Sequence, residues 1–453
     1  MSEAVATRAA GAGSGSGPAI TARVARSGGA IVAALLLAKL FSTLKESFVA
    51  QAFGVGREVD AYVLASALSL WVATIVGNGI DGVAIPLLKQ AQANSEEQWR
   101  AYAGQVFCIV CAFGAAAGAV LWWLAPPLGR WLGDSGAFGA QLVASIRVFA
   151  LVPLLNAVAR WSAALLQQRG HFFWANAADC AAPLVAVLVI VAWPWRGGLL
   201  LAWAQLAGIA AVALLMLLFG VRELGAWPRW STQRDGLLAL SARRYAPAVL
   251  GTTIGAAKPL LVRALAGGLG TGAIAVLGYA DRVVAVLLAL IGAAVIRSVT
   301  THAADAITAG RWSEIDHLLR RTSLLAFAAG AAGALAICAL ASPLVSVLLQ
   351  RGAFTAADAA AVTHTLRWLV PHLPFFCYAS ILIGIGYAMG LQRLLVISAV
   401  VGLAVCAMAG LLLRQPLGTA GIAMAASLAF VASAACTHLL VRAEVKRRHP
   451  QPV

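Results

Sequence analysis

The sequence predicts an all-α polytopic membrane protein, with about 12 transmembrane helices in two pseudo-symmetric six-helix lobes around a central cationic cavity. Three observations carry this. The chain is 61% hydrophobic and only 11% charged, with mean hydropathy +0.87. Apolar runs long enough to cross a bilayer recur from end to end. A set of short motifs also returns, in the same order, in the second half.

The runs fall near 29–52, 61–88, 101–125, 140–167, 173–194 and 197–220, then near 246–267, 272–298, 322–349, 358–389, 394–413 and 417–441. They divide the chain into a first lobe, 29–221, and a second lobe, 246–441, joined by a basic cytoplasmic linker at 222–245. Residues 1–28 are rich in Ala, Gly and Ser, lack an apolar core and predict a disordered cytoplasmic tail rather than a signal peptide. Residues 442–453 predict a basic cytoplasmic tail.

The repeat is carried by Ser135-Gly-Ala-Phe138 after Pro127-Leu128, which returns as Arg351-Gly-Ala-Phe354 after Pro343-Leu344. Lys45-x3-Val49-x4-Gly54 returns as Lys258-x3-Val262-x4-Gly267, and Arg147 and Pro153 have loose counterparts in Arg367 and Pro374. Six spans per half give both halves the same orientation, so the pseudo-axis runs along the membrane normal.

Lys and Arg orient the spans. Twenty of the 33 fall in the tails and in one alternate set of loops, against five (Arg57, Arg130, Arg196, Arg351 and Arg414) in the other set. The positive-inside bias places both termini in the cytoplasm. The net charge of +16 does not mark a nucleic-acid binder, because the cations sit at helix ends and inside spans, with no continuous basic stripe. Seven cysteines in apolar segments argue against a disulfide framework, and Cys108 and Cys111 lack the second pair that a zinc site would need. No phosphate-binding loop, nucleophile elbow or HExxH segment occurs, so an enzyme, a cofactor and a resident metal are not expected.

The remaining eight cations lie within spans: Lys39, Lys45, Arg147, Arg160, Lys258, Arg263, Arg282 and Arg367, opposed there by Glu46, Asp81, Asp179 and Asp281. A charge at the centre of a membrane helix costs about 2.5–3.5 kcal/mol on insertion scales and defaults to a functional reading. Lys39, Lys45 and Arg282 suit a diphosphate, with Glu46 balancing charge; the alternative is that Lys and Glu pair only to lock helix packing. Arg282 offers a bidentate fork unless Asp281 ties it up locally. Lys258 precedes Pro259, which can kink its helix and aim the amine into the cavity, against simple snorkelling. Arg263 lies nearer the periplasmic end, where snorkelling is the simpler reading. Gly77, Asn78, Gly79, Asp81 and Gly82 form a poorly helical run that reads as a hinge or as close packing. Asp60, in the turn between the first two spans, either caps the second helix or gates the cavity.

Several segments resemble one family. AKLFSTLKESFVAQAFGVGREVDAYVLASAL, Ala38 to Leu68, is similar to the first hairpin of the MurJ/MviN lipid II flippases, within the multidrug/oligosaccharidyl-lipid/polysaccharide exporter superfamily. Lys39 and Lys45 stand where that family has arginines, Glu46 replaces its aspartate, and Phe53-Gly54 and Asp60-Ala61 match. LGYADRVVAVLLALIG, Leu277 to Gly292, resembles its eighth helix. LLQRGAFTAADAAAV, Leu348 to Val362, resembles the segment after its ninth, and PLGTAGIAMA, Pro416 to Ala425, its last core helix.

The resemblance implies a flippase that moves an undecaprenyl-diphosphate-linked saccharide across the cytoplasmic membrane by alternating access, for peptidoglycan or surface polysaccharide synthesis. It implies Lys39, Lys45, Glu46, Lys258, Arg263, Asp281 and Arg282 as the substrate-binding set, membrane lipids and glycan synthases as partners, and a monomer. The sequence departs from the family at Ala73 and Asn78, where a cavity arginine and a glutamate are usual, and two further C-terminal helices find no room before Val453. These departures widen the expected cargo from lipid II to related lipid-linked glycans. The other readings are a drug or cation antiporter of the same superfamily, or a non-transporting envelope scaffold. Some members bind sodium through acidic and Asn residues, but Cys406 and Gly410 stand at the aligned positions here. Transport is therefore expected to be indifferent to replacing sodium with potassium in a vesicle assay; a sodium requirement that mutation of the seventh and eleventh spans abolishes would contradict this.

Overall fold

The computed structural model describes residues 36–133, 136–193, 197–231 and 236–448, and the predicted N-terminal tail at 1–28 lies outside them. The described chain forms twelve helical rods. These are α1 (36–53), α2 (57–94), α3 (Glu96–Leu132), α4 (Ala137–Gln168), α5 (172–192), α6 (Leu200–Leu224), α7 (Leu237–Ala266), α8 (Ala273–Thr308), α9 (Trp312–Leu349), α10 (Ala356–Ala388), α11 (392–417) and α12 (419–448). Only the backbone break at Gly418, with φ 59°, separates the last two. Two boundaries differ from the sequence reading. The last nine residues of the expected linker are already helix α7, and α12 carries the basic C-terminal residues as helix out to Arg448.

Eight helices among the described residues are long and apolar enough to cross a membrane, with α11 and α12 counted as one stretch. α1, α7 and α8 are not among them, and these three hold Lys39, Lys45, Glu46, Lys258, Arg263, Asp281 and Arg282.

Local chemistry sets several ends. Ser95 accepts the Gln98 N–H at 3.0 Å and starts α3, with Glu96 and Glu97 in its first turn. Thr355 and Asp358 form a reciprocal capping box that starts α10.

The duplication is visible in the backbone. α4 is broken at Ala150 just before Pro153, and α10 is broken at Val370–His372 just before Pro374. Both helices then stop in the same turn. His171 N–H reaches Leu166 O at 2.8 Å, and Leu391 N–H reaches Gly386 O at 2.8 Å. The residues that make those turns, Gly170 (φ 87°) and Gly390 (φ 73°), occupy the left-handed region that favours glycine. Packing repeats as well: α2 and α3 lie on α4 in the first lobe as α8 and α9 lie on α10 in the second.

The lobes meet unevenly. At the end that carries the α1–α2 turn, called the outer end after the orientation expected from the sequence, one core runs through both lobes and joins Val49, Leu64, Ile274, Leu277 and Phe354. Towards the linker end the core divides. One part is built on Leu87, Trp99 and Trp161 of the first lobe, and another on Leu318, Ile385 and Val441 of the second. The molecule is thus closed at its outer end.

Candidate functional site

The charges expected from the sequence converge where α1, α7 and α8 meet. Lys45 is 4% exposed and turns into the first lobe. Its Nζ lies 2.9 Å from Glu46 Oε1 and donates to Tyr62 OH of α2 at 3.0 Å and to Gln205 Oε1 of α6 at 2.9 Å. Three oxygens therefore saturate a buried ammonium, which is the condition for tolerating it there.

Glu46 links the lobes. The same Oε1 lies 3.5 Å from Arg282 Nε of α8. Asp281, the sequence neighbour of Arg282, instead faces Arg263 of α7, with Oδ2 at 3.8 Å from Nη2. Successive helical residues are 100° apart, so adjacent charges on one helix serve different partners. Glu46, Tyr62, Ser66, Arg263, Tyr279 and Arg282 line a small polar cavity between the lobes. Three cations here, Lys45, Arg263 and Arg282, face two acids, Glu46 and Asp281. Of the three, the Arg282 side chain is the open one, 40% exposed, against 5% for Lys45 and 14% for Arg263.

Lys39 is half-buried on α1, within electrostatic reach of Arg282, Asp281 and Asp179. Lys258 lies elsewhere. α7 continues past Pro259 to Ala266, and the Lys258 ammonium sits 3.0 Å from the centre of the Phe430 ring inside the second lobe. On that ring His372 also stacks, at 4.6 Å. Lys258 repeats the placing of Lys45, each turned into its own lobe. Arg263, by contrast, is drawn into the interlobe cluster.

Asp60 does not cap its own helix, whose N-cap position is Gly56. Its carboxylate, 2% exposed, accepts the N–H groups of Gly272 and of Ala275, the latter at 2.7 Å. These are orphan amides at the N-terminus of α8, in the other lobe. Three more bonds close the same end. Ala353 N–H donates to Gln51 O at 2.9 Å, Tyr279 OH to Gly54 O at 3.1 Å, and Ser47 OH to Leu348 O at 2.5 Å. Gly54 has φ 61°, and a Cβ there would strike the Ala353 carbonyl, so the lobes approach this closely only at glycine.

Along the other flank α2 is fastened to α7, with Trp71 Nε1 donating to Thr253 O at 3.1 Å and Tyr245 OH to Ile75 O at 2.7 Å. In the glycine run, Gly77 lets Asn156 and Arg160 of α4 lie against α2. The backbone then widens into a π-helical turn, Ile80–Ala84, that packs on α7. The side chains of Asn78 and Asp81 lie outside the described residues, and packing contacts for Gly79 and Gly82 do too.

Tyr62 and Gln205 are not marked by the sequence reading, and Tyr279 enters it only within the matching Leu277–Gly292 segment. Gln205 left a signal, as a lone amide in the apolar run of α6.

Comparison with known proteins agrees with this architecture. The family model described as Lipid II flippase MurJ matches residues 49–450. A probable lipid II flippase MurJ of Rhizobium tropici is 25% identical over 363 residues, which cover 76% of this chain and 67% of that one. Its counterpart in Vibrio cholerae is 24% identical over 375 residues, 77% and 69% of the two chains. Among solved structures, a lipid II flippase MurJ in an inward closed conformation superposes with TM-score 0.75 at 16% identity, covering 91% and 87% of the chains. An inward-facing multidrug resistance transporter of the MATE family does so with TM-score 0.73 at 15% identity, covering 92% and 96%. The structural likenesses speak for the fold.

Proposed function

This chain belongs to the lipid II flippase MurJ family, and from that membership we propose that it carries an undecaprenyl-diphosphate-linked saccharide, lipid II or a related glycan precursor, across the bacterial cytoplasmic membrane. The observation that carries the reading is the partly exposed Arg282 side chain in an interlobe cluster with more cations than acids. A diphosphate bears about two negative charges, and fixed cations in a low-dielectric cavity hold it more effectively than shape does. The same excess repels cationic drugs, which weighs against the antiporter reading.

Alternating access follows from the links. Glu46 of α1 faces Arg282 of α8. A diphosphate arriving from the linker end competes for that guanidinium and frees the carboxylate, weakening one bond between the lobes. What remains to be undone for release at the outer end is the Asp60 cap and the three bonds beside it. Lys39 lies near enough to receive phosphate as well. Lys258 and Lys45 set the interior of their lobes.

Both termini face the cytoplasm in this reading, so a cysteine replacing Arg57 labels from outside the cell and one replacing Arg229 does not; the reverse pattern would overturn the orientation. The chain works as a monomer, with glycan synthases as partners. The function is tested by depleting the protein and extracting lipids: a polyprenyl-diphosphate saccharide accumulates on the cytoplasmic side, inaccessible to a periplasmic probe. An unchanged lipid-linked pool on both sides would refute the reading.

A further inference from the structure

We propose that the groove between α9 and α10, near the outer end of the second lobe, binds the phosphodiester head group of an anionic phospholipid of the surrounding bilayer. It is an open groove with a volume of about 350 Å³. α9 contributes Ser342 and Ser346, four apart and hence on one stripe of the helix, and Gln350 follows just past its end. α10 contributes Thr363, His364 and Arg367 over a floor of alanines.

This lining is out of place on the outside of a membrane protein. The rest of α9 shows the bilayer Leu335, Leu340 and Val347, which are 72%, 53% and 65% exposed. Arg367 and His364 are exposed, no acid lines the groove, and among the described residues neither side chain has an ion-pair or hydrogen-bond partner. An unpaired arginine against hydrocarbon is costly unless water or an anion meets it. Arg367 lies about 16 Å along α10 from its start at Ala356. Helical side chains lean towards the N-terminus, so its guanidinium reaches back along the alanine floor towards the outer end. That aims it at the end of the groove lined by Gln350 and Ala356.

The first lobe offers a contrast. Arg147, the loose counterpart of Arg367, lies in a crevice between α3 and α4 that is set further from the α1–α2 end, against Ala115, Gly118, Ala119 and Trp122 of α3. There the guanidinium lies 5.3 Å from the centre of the Trp122 ring, and Trp203, Leu151 and Leu154 complete an apolar lining. The fold satisfies one arginine with protein. In the other lobe it surrounds an unsatisfied arginine with hydroxyl and amide donors, and those are what phosphate oxygens accept from, around a bidentate guanidinium. Charge complementarity selects an anionic head group, and exposed Leu340 and Val347 give its chains a surface to lie on.

The test is lipid binding to the purified full chain in detergent, read by native mass spectrometry with phosphatidylglycerol and phosphatidylcholine of matched chains. The parent protein is expected to prefer phosphatidylglycerol by about tenfold. Arg367→Leu should abolish the preference, and Ser346→Leu, which keeps the charge but fills the groove, should weaken it as strongly. Arg147→Leu should leave it intact. If Arg367→Leu fails to fold, Ser346→Leu and Thr363→Val decide. Equal binding of the two lipids by the parent, parental preference in the groove variants, or loss of preference in Arg147→Leu alone would each overturn the proposal.

Discussion

Arg282→Ala is expected to lower the rate of lipid-linked saccharide flipping by about 100-fold while the protein accumulates normally, since two charge-assisted hydrogen bonds of about 1.5 kcal/mol each are lost. The abundance should hold because the side chain is 40% exposed and its partner Glu46 keeps the 2.9 Å contact with Lys45. Arg282→Lys should fall between, because a point charge replaces the fork. Lys45→Ala should fail differently. It strands Glu46 together with Tyr62 and Gln205 around a vacated, buried ammonium site. Breaking one side of a buried pair costs about 3–5 kcal/mol, so a lower melting temperature and reduced abundance should accompany any loss of transport. Rates are read in spheroplasts with a periplasmic enzyme that modifies the flipped saccharide, and amounts by immunoblot. Full flipping by Arg282→Ala at normal abundance would remove Arg282 from the substrate path.

The membrane class, the twelve-helix architecture and the duplication were legible because each is written in long-range composition: apolar runs and motifs returning in order. The candidate charges were legible for a related reason, since Lys39, Lys45, Glu46, Asp281 and Arg282 interrupt runs that are otherwise apolar. Their pairing was not. Asp281 and Arg282 are adjacent in sequence yet turn to Arg263 and Glu46, and only the packing of three helices decides that. Lys258 reads like a cavity lysine and lies instead against Phe430, from a helix far along the chain. The basic linker was read too long, because Arg243 and Arg244 look like loop charges although they belong to the first turns of α7. Asp60 reads from sequence as a cap on its own helix or as a gate, and the helix that it caps is instead in the other lobe.

That cross-lobe cap makes Asp60 the residue whose loss should move the conformational balance furthest. Its buried carboxylate satisfies two orphan amides of α8 and sits at the positive end of that helix. Hydrogen bonds to a charged group contribute about 1.5–3 kcal/mol each, and an amide left buried and unpaired costs about 1–3 kcal/mol. Asp60→Ala should therefore disfavour the outer-closed state by about 3 kcal/mol, roughly a hundredfold in the ratio of closed to open molecules. Ser47, Gln51 and Tyr279 keep their own bonds, so the protein should stay folded while its outer end opens. A cysteine pair at Gln51 and Ala353, whose backbones are joined at 2.9 Å, reports the change. The pair should cross-link readily with Asp60 present and poorly in Asp60→Ala, with Asp60→Asn between them because the amide retains one acceptor oxygen. Flipping should slow along with cross-linking, since a protein resting open at the outer end seldom offers its cavity to the side from which the cargo comes. Undiminished cross-linking in Asp60→Ala would mean that the remaining outer bonds hold the lobes together without the cap.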